Sequence, residues 1–454
     1  MKYLSKIIFV LALLISVASC KKTEETAAPS GPTDAQGRVI ITGNITTNRT
    51  LVAREKYILQ GFVYVKSGAT LTIEPGTVIL GDKQTTGTLV IERGGKIEAN
   101  GTVDRPIVFT SAQPKGQRSY GDWGGIVMLG DAPTNKPADT QIEGVAGGVY
   151  GGTNATSSSG TLRYVRIEFP GIAITPNNEI NGLTMGGIGA GTKIEYVQVS
   201  FCGDDSFEWF GGNVDGKYLI AFRGWDDDFD CDFGFSGRVQ HGISFRDPVI
   251  NDQSTSNGFE VDNDAQGTTA TPLTSATFSN ITVVGPYGRP GVTAFGNDAQ
   301  WGRAMHLRRN STMTIVNSLF LGFKEGLRLD GTTTLANYAA NTGLLSNNTV
   351  AGMTVGAVTG AGGVTTAQAT EYFSRAGGNN NILTDYATLN LNANVFSLTA
   401  PNFLPSTGSP LLSGAAFPGK AADAFFDKVA HRGAFGATNW AATWTNFDPQ
   451  NTDY

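Results

Sequence analysis

Two stretches of this chain, twenty-two residues apart, carry the same alternation in the same register. "DSFEWF" (205–210) and "DDFDCD" (227–232) align Phe207 with Phe229, Glu208 with Asp230 and Trp209 with Cys231. Successive side chains of a strand point to opposite faces, so the apolar set turns one way and the acids the other. The habit recurs: "LTIEPGTVI" (71–79) returns eighteen residues later as "LVIERGGKI" (89–97), and "LRYVRIEFPG" (162–171) returns as "IEYVQVSFCG" (194–203). "NITVVG" (280–285), "NSLFLG" (317–322) and "NNTVAG" (347–352) each keep an Asn five residues before a Gly. One coil of short strands cannot bury its inner face, whereas stacked coils build a continuous apolar column.

Composition supports an all-β chain: 59 Gly among 454 residues and 16% charged residues suit many short strands and few surface helices. A turn Asn at one place in every coil can bond to the next coil, so Asn280, Asn317 and Asn347 are expected to form a structural ladder. From about Val39 to about Phe403 the pattern resembles right-handed parallel β-helix proteins, and "GDWGGIVMLG" (121–130) is similar to a stretch of secreted bacterial β-helices. The expected architecture is a right-handed parallel β-helix over 39–403. A Gly-, Ser-, Thr- and Pro-rich loop at about 131–160 interrupts it, of the kind that often carries function. The segment from His431 resembles the C-terminal part of β-helix lipoproteins of Bacteroidota. With Trp440, Trp444 and Phe447, residues 404–454 are expected to cap the open end of the solenoid.

Lys2 and Lys6 precede an apolar run, Ile7 to Val17, that leads into "VASC" (17–20), the pattern of a processed leader. It resembles a bacterial lipobox, which implies a signal peptide over 1–19 and a lipid on Cys20, followed by a flexible tether to residue 38. The run is too short to span a bilayer, so the protein would be anchored to a membrane and would not cross it. Glu24 and Glu25 resemble the export signal of surface lipoproteins in Bacteroidota. That resemblance implies an outer-membrane, cell-surface location and a nutrient receptor or transporter as partner. A net charge of −6 excludes a nucleic-acid binder. Cys202 and Cys231 remain; the compartment permits a disulfide, and the apolar register of Cys231 equally suits a buried thiol.

Followed through "GFEVDND" (258–264), "AMHLRR" (304–309) and "GLRLD" (326–330), the outward column reads Glu208, Asp230, Glu260, His306, Arg328. Nine acids lie between Asp204 and Asp232, against Lys217 and Arg223 alone. Like charges on coils about 4.8 Å apart repel. A solvated surface is one outcome; calcium, which takes six to eight oxygen ligands, is the other, with Asp226, Asp227, Asp228 and Asp230 as ligands. Three His and no paired Cys/His spacing argue against a transition metal. Further along, Arg289, Arg303, His306, Arg308, Arg309, Lys324 and Arg328 reverse the sign. An anionic polysaccharide could then lie across Glu208, Asp228, Asp230, Glu260, Arg303, His306, Arg308 and Arg328, its carboxylates bridged by the metal and held by Arg forks.

This layout is similar to calcium-dependent polysaccharide lyases, which implies a basic residue, His306 or Arg308, as proton acceptor. "CGDDSF" (202–207) resembles the paired-Asp motif of polygalacturonase-type hydrolases and implies Asp204 and Asp205 as acid and base. That family's Gly-His-Gly is replaced here by Asp226 to Asp228, and "LRR" (307–309) is not its basic motif. A structural adhesin is the third class.

Overall fold

A computed structural model describes residues 28–175 and 178–454. The leader, Cys20 and Glu24-Glu25 lie outside the described residues. The chain is a right-handed parallel β-helix in which, among the described residues, 26 strands form one continuous sheet. One face stacks Leu183–Ile188, Phe207–Gly212, Phe229–Asp232, Phe259–Val261, Arg303–Leu307 and Glu325–Asp330. Glu208 pairs with Asp230, Asp230 with Glu260, Glu260 with His306 and His306 with Arg328, the order expected from the repeat. Phe207, Trp209, Phe229, Cys231 and Phe259 turn inward and are fully buried. Phe207 and Phe229 stack with ring centroids 5.8 Å apart, and Phe259 lies tilted against Phe229 at 5.1 Å. Each such side chain contributes about 1.5–3 kcal/mol through removal from water.

The other two faces meet at a bend that places one residue per coil in the left-handed region. In chain order these are Tyr164, Tyr196, Tyr218, His241, Asn280, Asn317 and Asn347, with φ of 49° to 62°. Asn visits this region readily, and Tyr does not. The rings are held there by stacking on each other, at 4.3 Å for Tyr164–Tyr196, 4.4 Å for Tyr196–Tyr218 and 5.0 Å for Tyr218–His241. The expected Asn ladder is present in part, at Asn280 and Asn317, whereas Asn347 bonds Ser346 of its own coil. At the bend Asn317 Nδ2 donates to Ser279 Oγ (3.2 Å) and Asn280 Oδ1 accepts from Gln240 Nε2 (3.0 Å), and a further run of coil-to-coil bonds comes one position later: Ser318 N–H donates to Asn348 Oδ1 (3.0 Å) and Asn348 N–H to Asn380 Oδ1 (2.9 Å).

The C-terminal segment corrects the expected cap. It runs back along the bend as a strap: Ala416 N–H bonds Asn317, the His431 carbonyl accepts from Asn280, and the Asn446 carbonyl from Gln198. Its last residues reach the first coils, where the Pro449 carbonyl accepts from Arg118 and the Tyr454 carbonyl from Lys56. Trp444 meets Tyr164 and Tyr196 edge-on at 5.9 and 6.0 Å, so the strap's aromatics cover the exposed row of rings. The far end is covered instead by the helix Thr366–Phe373, which packs Ala369, Tyr372 and Phe373 on the apolar column. Thr365 and Gln368 close a capping box at its start.

Cys202 and Cys231 are free and buried, so the thiol alternative holds. In "GDWGG", Trp123 is buried with its Nε1–H on the Glu168 carbonyl at 2.8 Å. A Cβ on Gly81 would lie 2.3 Å from Trp123 Cβ, so only Gly admits that indole. The inserted loop lies over the acid-bearing face, burying Ile142, Val145 and Tyr150 against Val90, Val127 and Phe210.

A candidate cation site on the acid-bearing face

The doubled acids have a backbone role first. Two positions ahead of Leu183, Phe207, Phe229 and Phe259, successive coils place Asn181, Asp205, Asp227 and Asn257. Asp227 N–H donates to Asp205 Oδ1 at 2.8 Å, Asn257 N–H to Asp227 Oδ1, and Arg303 N–H to Asn257 Oδ1 at 2.9 Å. One side-chain oxygen per coil thus satisfies the turn backbone of the next. The remaining oxygens face the outward acids Glu208 and Asp230.

Three groups of carboxylates result, each with ligand atoms within 4.8 Å of one another: Asp204, Asp205 and Asp226; Asp205, Glu208 and Asp230; Asp227, Asp230 and Glu260. Asp205 and Asp230 each belong to two groups, so ions in neighbouring groups would share a bridging carboxylate. The first two groups open into a cavity of about 740 Å³. Eight of its lining side chains are carboxylates (Glu143, Glu179, Asp204, Asp205, Glu208, Asp226, Asp230 and Asp252), and among the described lining residues none is basic. Contrary to a solvated face, Asp205 and Glu208 are only 8% exposed.

Burial, then neighbouring like charges, pushes Asp204, Asp205, Glu208, Asp227 and Asp230 well above the usual carboxylate range. Burial raises Asp226 in the same way, against a bond from Ser254. Asp226 Oδ1 and Asp230 Oδ1 are buried without a hydrogen-bond partner. An all-oxygen donor set with unpartnered buried oxygens suits a hard divalent cation. Residues Asn181, Asn257, Glu143, Glu179 and Asp252 escaped the sequence reading; the first two were detectable as the turn positions preceding each strand.

Asp228 does not join the cluster. It turns to the opposite side, where Arg246 Nη1 lies at 3.0 Å and Ser244 Oγ donates at 2.5 Å. The basic patch is largely neutralised within itself. Arg308 is paired with Glu260 and Asp262, Arg309 with Asp262, and Arg328 with Glu325; Arg303 lies 3.9 Å from Glu325. His306 sits between Glu260 (3.7 Å) and Asp330 (3.2 Å). Burial would raise Glu260, but the neighbouring His306 and the charge of Arg308 hold it low. Arg289 is elsewhere, buried and donating to the carbonyls of Arg246, Gly285 and Phe396.

Fold and site together define a parallel β-helix with a carboxylate-lined cavity on one face. The chain belongs to the family of pectate-lyase-like β-helix domains, whose sequence profile matches residues 43–390. Among solved structures it is similar to pectate lyase Pel9A, at 14% identity and TM-score 0.41, covering 82% of this chain and 88% of that one. It is also similar to the Dettilon tailspike protein gp208, at 13% identity and TM-score 0.29, covering 71% and 62%. No curated protein matches.

Proposed function

We propose that the acid-bearing face binds calcium and, through the ion, the carboxylates of an extracellular anionic polysaccharide. The observation that supports this reading is the cavity with eight carboxylates and, among the described residues, no basic lining residue, in which Asp226 Oδ1 and Asp230 Oδ1 lack partners. Asp204, Asp205, Glu208, Asp226, Asp227, Asp230 and Glu260, in their three groups, would provide the donors for calcium, which when bound supplies the positive charge that an anionic chain needs. The protein's own side chains do the rest: the turn ladder fixes Asp205 and Asp227, and Asn181 donates to Glu208. Arg303, Arg328 and His306, already facing acids, offer secondary contacts along the column.

A lyase is the second reading, favoured by Arg308, which contacts Glu260 of the third acid group and so puts a cation beside the metal donors. Burial lowers its proton affinity, but its two carboxylate partners outweigh that and raise it, which opposes work as a base. Binding is therefore the first reading, and Asp204 and Asp205 serve it as donors and not as a hydrolytic pair. We also propose that Cys20 carries the lipid that anchors the protein at the outer-membrane surface, beside a nutrient receptor; among the described residues no helix is long and apolar enough to cross a membrane.

A calorimetric calcium titration of chelator-treated protein tests the site. Binding in the micromolar range that disappears in Asp226→Asn/Asp230→Asn is expected, and polygalacturonate is expected to bind only with calcium. Ultraviolet absorbance of unsaturated product would move the conclusion to the lyase. No heat with calcium would remove the cation site.

A further inference from the structure

We propose that Trp225 is a stacking platform for a sugar ring of the chain held at the carboxylate cavity, making it a specificity-determining residue. The proposal rests on the reading of that cavity as a calcium-dependent site for anionic polysaccharide, and adds a recognition element that charge does not provide. Trp123, Trp209, Trp301 and Trp444 are at most 2% exposed, whereas Trp225 is 39% exposed and lines the cavity beside Asp226.

Its indole is fixed in place. The backbone N–H of Trp225 donates to the Cys202 carbonyl at 2.9 Å, and its own carbonyl accepts from Ser256 Oγ at 2.8 Å and Arg246 Nη2 at 2.9 Å. Nε1–H donates to the Asn251 carbonyl at 2.8 Å, and the ring meets Tyr120 edge-on at 5.6 Å and 82°. With the polar N–H already bonded to protein, the ring offers a ligand only its apolar surface. A metal ion alone has no use for such a surface, and an apolar ring left in water forgoes its burial. A uronate sugar matches both halves of the site: its carboxylate meets the ion while the C–H face of its pyranose ring lies on the indole. An organic cation would also be drawn to acids and an aromatic face, but it would compete with calcium instead of requiring it.

The test compares the unmodified protein with Trp225→Ala and Trp225→Phe by calorimetry, first with calcium alone and then with a galacturonate oligosaccharide at saturating calcium. Both variants are expected to keep the calcium affinity within about twofold, and Trp225→Ala to lose about tenfold or more in oligosaccharide affinity, with Trp225→Phe between. The oligosaccharide is expected to shift the tryptophan fluorescence of the unmodified protein, and Trp225→Phe to abolish that shift while keeping the melting temperature. Unchanged oligosaccharide affinity in Trp225→Ala would overturn the platform and leave the calcium reading standing. Absence of calcium binding, or of calcium-dependent oligosaccharide binding, in the unmodified protein would overturn the underlying reading, and the platform with it. Calcium-displaceable binding of a polyamine would overturn both in favour of a cationic ligand.

Discussion

Arg246 Nη1 lies 3.0 Å from Asp228 Oδ1, and both side chains are wholly buried. Arg246 also donates to the carbonyls of Trp225 and Asp226, so one guanidinium holds the turn from which Asp226 enters the cavity. Neighbouring acids of one run therefore have opposite roles: Asp228 balances a buried cation, and Asp230 adds to an uncompensated cluster. Breaking a buried pair by removing one partner costs about 3–5 kcal/mol. Asp228→Asn is expected to lose a large part of that, with or without calcium. Asp230→Asn is expected to leave the calcium-free protein at least as stable and to abolish the stabilisation by calcium. Denaturant unfolding of both variants, with calcium and with chelator, measures the contrast; equal behaviour would put Asp228 back among the metal donors.

The raised carboxylates set the pH dependence of the site. Asp232, two residues beyond Asp230 on the same strand, is raised by burial to about 8, and the cluster residues are shifted in the same direction. In the calcium-free protein the native state then binds more protons than the unfolded chain, so this contribution to stability falls as pH rises from the ordinary carboxylate value through the raised ones. Calcium needs the deprotonated forms, so its affinity is expected to rise over the same interval with release of protons. Titrations in two buffers of different ionisation enthalpy at each pH count those protons. Affinity independent of pH would mean that the donors are already ionised.

His241 titrates with the opposite sign at the bend. Burial first, then the nearby His431, lowers it from 6.5 to about 4, with Asp427 3.8 Å from its ring opposing the shift. Here the unfolded chain binds the extra proton, so the stability is fully present above about 6.5 and is lost as pH falls through about 4; the loss is on the order of 3 kcal/mol. Asn holds the same left-handed position in Asn280, Asn317 and Asn347. His241→Asn is therefore expected to keep the fold and to flatten the acid limb of a plot of melting temperature against pH.

The acid-bearing face was legible because its strands alternate strictly, Phe207, Trp209, Phe229 and Cys231 inward and Glu208 and Asp230 outward. Period two stops at the strand's first residue, Phe229. Asp228 sits in the turn before it, where alternation has no hold, and faces the other way. The depth of the acids was also illegible, because the loop that covers them is far away in sequence. At the bend, Asn280 and Asn317 pointed to a special turn by residue type, but Tyr164, Tyr196 and Tyr218 hold the same conformation through ring stacking between coils. The aromatics of the C-terminal segment announced that they would cover something apolar, and nothing in their spacing said which surface.

That surface is the tyrosine row, and Trp444 is its main contact. The Trp444 side chain is fully buried, with its edge on Tyr164 and Tyr196 and its Nε1–H on the Trp440 carbonyl at 2.9 Å. Truncating a buried Trp costs about 3–5 kcal/mol. The strap lies on the bend and not on the acid-bearing face, so Trp444→Ala is expected to lower the melting temperature while leaving calcium affinity unchanged. Hydrogen exchange should rise along the strap and at Tyr164, Tyr196 and Tyr218 before it rises in Phe207–Gly212. If the segment instead closed the end of the solenoid, exchange would rise first around Glu325–Asp330 and Gly356–Ala361, and the tyrosine row would stay protected.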